Sequence, residues 1–164
     1  MTEIVQKLSS YHLLNYLLTG AILNIFLEKY LNYNILQDSA FINIFLFYFT
    51  GLTISRVGSI VVEPFLKKIG LLNFASYKDF LDASKKDNKI EVLSEINNVY
   101  RTFIAIFAIL ILLRIYKLFA DCLKLSNETN ILVLIITLLV FYFLSYLKQT
   151  KYITSRIENI LNKK

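Results

Sequence analysis

Four apolar stretches, Tyr11 to Leu27, Phe41 to Val62, Thr102 to Ala120 and Ile131 to Leu147, make up nearly half of this 164-residue chain. Each has about 17 to 22 residues, the length an α-helix needs to cross a hydrocarbon core of roughly 30 Å. Lipid offers no water to an unpaired peptide group, so an apolar run of this length is expected to be helical. The expected fold class is all-α: a multi-pass membrane protein with four transmembrane helices and a small helical cytosolic insert. Hydrophobic residues form 56% of the chain and mean hydropathy is +0.55, against about 45–50% apolar in a typical soluble domain.

Charge gives the expected orientation. With four spans, the N-terminus, the central loop and the C-terminus share one side. That side carries Lys7, the seven basic residues from Lys67 to Arg101, and Lys148, Lys151, Arg156, Lys163 and Lys164, or 13 of the 18 basic residues. The other side has Lys29, Lys117 and Lys124, while Arg56 and Arg114 fall within spans. The positive-inside rule then places both termini and the central loop in the cytoplasm, with the chain in the cytoplasmic (inner) membrane. A three-span alternative lays the first stretch in the interface, because Asn15 and Asn24 make it the weakest. No short apolar region followed by a small-residue cleavage site opens the chain, so the first span is expected to be its own targeting signal.

The chain divides into residues 1–62, an N-terminal segment and first hairpin; 63–101, a cytosolic helical insert; 102–147, a second hairpin; and 148–164, a basic amphipathic cytosolic tail. Pro64 is expected to kink or stop the second span. Ser76 and Asp79 have capping-box spacing, as do Asn88 and Glu91. From Lys89 no breaker intervenes before Cys122, so one helix is expected from Lys89 to about Ala120. Ile153, Ile157, Ile160 and Leu161 share one face of the tail, which suits an interfacial helix or a bundle partner; a basic flank to the last span explains its charge equally well.

Enzyme templates fail in turn. HExxH, GxSxG, Walker A and CxxC are all missing from the sequence. The spans hold no carboxylate or lysine away from their ends, which an intramembrane Ser/Lys or paired-carboxylate site would need. Cys122 has no partner for an internal disulfide and no metal-ligand spacing around it. His12 stands alone at the start of the first span and reads as interfacial packing. The chain is therefore expected not to be an enzyme and to need no cofactor.

The second span is the most unusual. Gly51, Ser55, Gly58 and Ser59 form a small-residue stripe, which lets helix backbones approach closely in lipid. It serves either a tight contact with a neighbouring span or an oligomer interface or pore-lining face, and Gly51, Ser55 and Gly58 are assigned to oligomer packing. Arg56 lies about 9 Å inside the cytosolic end of its span, at 1.5 Å per residue. A charge at that depth marks a functional site by default, with snorkelling as the competing account. Arg56, Ser59 and Glu63 are accordingly the pore or gating candidates. Glu63 is two turns from Arg56, so a bridge between them is easier across subunits than within one helix. In the insert, Lys85, Lys86 and Lys89 with Tyr77 and Phe80 combine cations with stacking faces, as nucleotide and single-stranded nucleic-acid sites do. Anionic lipid headgroups attract the same lysines. Arg101, with Asn97 and Asn98 at the mouth of the third span, completes the ligand-binding candidates.

The stretch Ser55-Arg56-Val57-Gly58-Ser59-Ile60-Val61-Val62-Glu63-Pro64 through Tyr100-Arg101-Thr102-Phe103, on this four-span layout, resembles small membrane effectors of bacterial anti-phage defence systems. The channel component of Hailong-type systems comes first and the four-span component of Kiwa-type systems second. The resemblance covers the whole chain as architecture and transfers no functional residue. It implies a homo-oligomeric channel controlled by a cytosolic nucleotide, oligonucleotide or single-stranded DNA. The rival expectation is a non-conducting membrane anchor or sensor subunit for a soluble partner protein.

Overall fold

The computed structural model describes residue 11 and residues 13–161, apart from the side chain of residue 14. Lys7, His12, Lys163 and Lys164 lie outside the described residues. The described chain is all-helical, with five helices. Helix α1 begins as a π-helical segment, Leu13–Leu18, and continues as an α-helix, Thr19–Leu31. Helix α2 runs from Ala40 to Val57, passes through a π-helical segment, Gly58–Val62, and ends as the α-helix Glu63–Lys68. The short α3 is Tyr77–Ser84, α4 is Lys89–Cys122, and α5 is Asn127–Leu161.

Three helices, Ala40–Lys68, Lys89–Cys122 and Asn127–Leu161, are long and apolar enough to cross a membrane, which points to a membrane-embedded protein. Helix α1 is not among them. Asn15, Thr19 and Asn24 lower its hydropathy, yet all three are fully buried against α2 and α4. At 1.5 Å per residue the 34 residues of α4 and 35 of α5 give about 50 Å each. Both therefore extend well beyond a hydrocarbon core of about 30 Å.

The core is the packing of α1 on α2, with α4 laid across both. Leu23, Leu27, Leu31, Ile54, Val62, Ala105 and Ile106 form its apolar interior. Two glycines let α1 and α2 touch. A Cβ on Gly20 would lie 1.7 Å from the Phe47 carbonyl oxygen, and one on Gly51 would lie 1.8 Å from that of Tyr16. No side chain fits at either position. Helix α5 meets the bundle mainly along α2, where Tyr142 stacks on Phe49 and shares a 2.9 Å hydrogen bond with Thr53. Lys117 of α4 donates to the Leu31 carbonyl at the end of α1, satisfying an oxygen with no partner inside the helix.

Several local expectations are met and others corrected. The helix expected from Lys89 to about Ala120 is α4. Ser76 caps α3 by accepting from the Asp79 N–H at 3.1 Å. Asn88 makes no side-chain cap on α4; Asp87 Oδ1 accepts from the Lys89 N–H instead. Pro64 does not stop the second span: helix continues to Lys68, and the wide π turn before it absorbs the ring. The described part of the tail is no separate helix, since α5 runs unbroken from the last span through Leu161.

Candidate functional site: a buried charge cluster beside an arginine-lined cavity

The site begins with a polar core that joins α1, α2 and α4. Asn15 donates to Ser55 Oγ at 3.2 Å and to the Tyr11 hydroxyl at 3.0 Å, and accepts from Thr102 Oγ1 at 2.8 Å. Asn24 donates to Thr50 Oγ1 at 2.7 Å nearer the other end of α1. A paired polar group of this kind fixes helix register, because any slip leaves it unpaired in an apolar interior.

Towards the lysine-rich end of the bundle, Glu63 is buried and gathers three cations. Arg101 Nη1 of α4 donates to Glu63 Oε2 at 2.7 Å. Lys67, one turn on in α2, donates to Oε1 at 3.0 Å, and Lys148 of α5 stands 3.9 Å from the same oxygen. One carboxylate thus ties together α2, α4 and α5. Arg56 and Glu63 are not paired: the acid expected to seek a partner across subunits finds its partners within the chain.

Lys148 has a second task that follows from backbone chemistry. In the π segment the Glu63 N–H bonds to the Gly58 carbonyl, five residues back. The same register would give the Ser59 carbonyl to residue 64, but Pro64 has no N–H. Lys148 Nζ supplies the missing donor, bonding to the Ser59 carbonyl oxygen at 2.5 Å and to Ser59 Oγ at 2.8 Å. Proline, π turn and lysine therefore form one unit.

Beside this cluster lies a cavity of about 290 Å³. Helix α2 contributes Ser55, Arg56 and Ser59, and α4 contributes Asn98 and Arg101. Tyr11 and Tyr16 close it on the α1 side, and Tyr152 of α5 closes the opposite wall. Among the described residues no carboxylate lines it. Gly58 makes room for Arg101: a Cβ there would meet Arg101 Cγ and the Arg101 carbonyl at 3.3 Å. Arg101 Nε is buried with no hydrogen-bond partner. Arg56 makes no hydrogen bond or ion pair among the described residues.

The sequence-assigned residues therefore fall into three main places. Arg56, Ser59, Glu63 and Arg101 meet at the cavity and the charge cluster, together with Gly58. Gly51 and Ser55 are covered inside the chain by Tyr16 and Asn15. Phe80 and Lys85 line a separate groove of about 470 Å³ where α3, α4 and Arg156 of α5 meet. Glu91 and Glu95 share that groove, so its charge is mixed. Lys86 and Lys89 are exposed beside it. Tyr77 leaves the insert to pack on the ring of Tyr152, with centroids 6.3 Å apart, and so touches the arginine cavity from outside. Lys148, Tyr152 and Gly20 escaped assignment, while Asn98, placed in the sequence beside Arg101, lines the cavity with it. The signal that could have found Lys148 is Pro64, which must orphan a carbonyl in a helix that continues. No group of three or more His, Cys, Asp or Glu gathers among the described residues. Compared with protein-family models, curated proteins and solved structures, the chain matches none.

Proposed function

We propose that this chain is a four-span subunit of a homo-oligomeric, ion-conducting pore in the cytoplasmic membrane, controlled by an anionic cytosolic ligand and acting as an effector of anti-phage defence. The observation that carries the pore reading is the Glu63 cluster. A buried carboxylate binding cations of three helices, at the end of apolar spans, is expensive to place there and marks an ion path or its control point. A single 164-residue bundle has no room for a gated conduction path, and symmetric assembly provides one. The first helix counts as the fourth span in this reading because its polar residues are paired inside the bundle, leaving Leu13, Leu18 and Ile25 exposed for lipid. The defence role rests on the resemblance of layout alone.

In this reading the Glu63 cluster holds the resting state by pinning the end of α2 to the middle of α4 and α5. Current across planar bilayers for the purified full chain tests it, with parent, Arg56→Lys, Arg56→Ala and Glu63→Gln at equal protein density. The parent conducts, and Glu63→Gln raises spontaneous opening. Arg56→Ala changes single-channel behaviour, and Arg56→Lys does not restore it if the planar fork of the guanidinium matters. Identical currents in all four remove Arg56 and Glu63 from gating.

One observation favours a second reading, a non-conducting anchor for a soluble protein. Val92, Leu93, Ile96 and Tyr100 are exposed on one side of the first third of α4, in the part expected to stand outside the membrane. An apolar stripe there is a docking face for a partner helix. A parent chain that passes no current, with anionic nucleotides present or absent, selects this reading.

A further inference from the structure

We propose that the cavity enclosed by α1, α2, α4 and α5 is a binding site for a phosphate-bearing anion, held between the guanidinium groups of Arg56 and Arg101. This deepens the proposed function and rests on it for the claim that occupancy controls the pore. The binding itself rests on four observations. Among the described residues, two guanidinium groups and no carboxylate line the cavity. Arg101 spends Nη1 on Glu63 and keeps Nε buried without a partner, so one face of its donor fork is unsatisfied. Arg56 has no acceptor among the described residues. The remaining lining is hydroxyl and amide, from Ser55, Ser59 and Asn98, with tyrosine rings as walls. Planar guanidinium forks match the paired oxygens of phosphate, and hydroxyls complete its hydrogen bonding.

Charge bookkeeping points the same way. Arg56, Arg101, Lys67 and Lys148 crowd this end of the bundle against Glu63 alone. Lys67 is 44% exposed and meets solvent, but Arg101 and Lys148 are largely covered, and an anion beside them would offset the surplus positive charge. At about 290 Å³ the cavity sits at the small end of the roughly 300–1,000 Å³ range of ligand pockets, suited to a phosphate with a short substituent. The mixed-charge groove at Lys85 is less selective for an anion. The phosphate can come from an anionic lipid headgroup or from a soluble phosphate, since α2 and α4 bring the cavity close to the expected end of the hydrocarbon core.

The test uses the full chain in neutral detergent. In one arm, native mass spectrometry compares retention of phosphatidylglycerol with that of phosphatidylcholine. In the other, equilibrium dialysis of lipid-depleted protein measures binding of radiolabelled inorganic phosphate. One ligand per chain is expected, lowered at least tenfold in Arg56→Gln, with the triple variant Lys85→Gln, Lys86→Gln, Lys89→Gln unchanged. Arg56→Gln is the primary variant because Arg56 makes no hydrogen bond or ion pair among the described residues; Arg56→Lys, which keeps the charge but not the fork, should bind at an intermediate level. Selective retention of phosphatidylglycerol identifies a headgroup, and binding of inorganic phosphate without lipid selectivity identifies a soluble ligand. Binding in neither arm, or binding untouched by Arg56→Gln, or loss of binding in the triple lysine variant, overturns the site. Binding without any bilayer current overturns the pore reading and leaves the site standing; current without binding does the reverse.

Discussion

Ser59 carries a carbonyl that its own helix does not satisfy, and Lys148 reaches it from 89 residues away. Lys148→Met removes that donor. An orphaned buried carbonyl costs about 1–3 kcal/mol, so the variant should unfold measurably earlier in detergent. Pro64→Ala restores an N–H where the π register needs one, and Lys148→Met should cost less in that background. Melting of the four chains of a double-mutant cycle checks this; coupled residues of this kind differ from additivity by about 0.5–3 kcal/mol. Equal costs in both backgrounds would mean that Lys148 acts only through Glu63. Gly58→Ala should shift Arg101, whose Cγ and carbonyl oxygen lie 3.3 Å from the added carbon, and weaken phosphate retention more than stability. Arg56, Ser59 and Glu63 were legible in the sequence because polar groups are conspicuous in an apolar run. The distant partners of Ser59 and Glu63 were not, since Arg101 and Lys148 lie 38 and 85 positions from Glu63 and only the helix packing brings them near.

Helix α1 is the element that composition judged least well. Its asparagines weaken it as a span and strengthen it as a core helix. Hydropathy averages over all faces, whereas Asn15 and Asn24 present their amides only inward. The close approach of α1 to α2 depends on Gly20 and Gly51. Either glycine replaced by alanine would drive a Cβ into a backbone carbonyl, a clash beyond the roughly 1–3 kcal/mol of ordinary overpacking. Gly20→Ala and Gly51→Ala should each lose most folded material in size-exclusion chromatography, while Leu52→Ile behaves as the parent. The small-residue stripe in α2 was readable from spacing. Its partner was not, because Gly20 is a lone glycine in its helix with no stripe of its own. Likewise α4 and α3 were readable from unbroken periodicity and from Ser76. The cap at Asp87 was missed because Asn88, one place on, has the spacing of a capping box.

For the whole molecule, topology separates the four-span arrangement from its three-span rival. Reporter fusions after residues 34, 85, 126 and 164 should give an external signal at 34 and 126 and a cytoplasmic one at 85 and 164, because 13 of the 18 basic residues fall on one side. A cytoplasmic signal at 34 or 126 would overturn the four-span arrangement, and a reporter ahead of residue 1 that reads external would lay α1 in the interface. Apolar length and charge asymmetry survive translation into sequence and make the layout legible, whereas the cavity depends on four helices converging and has no linear trace. The Glu63 cluster also orders events during synthesis. Its local partner Lys67 emerges within one helical turn, so the acid leaves the ribosome already half-compensated. Arg101 arrives with α4, the second long helix, and Lys148 only with α5, the last. Each later cation would then find a carboxylate already in place, so the order of synthesis is also the expected order in which these contacts close.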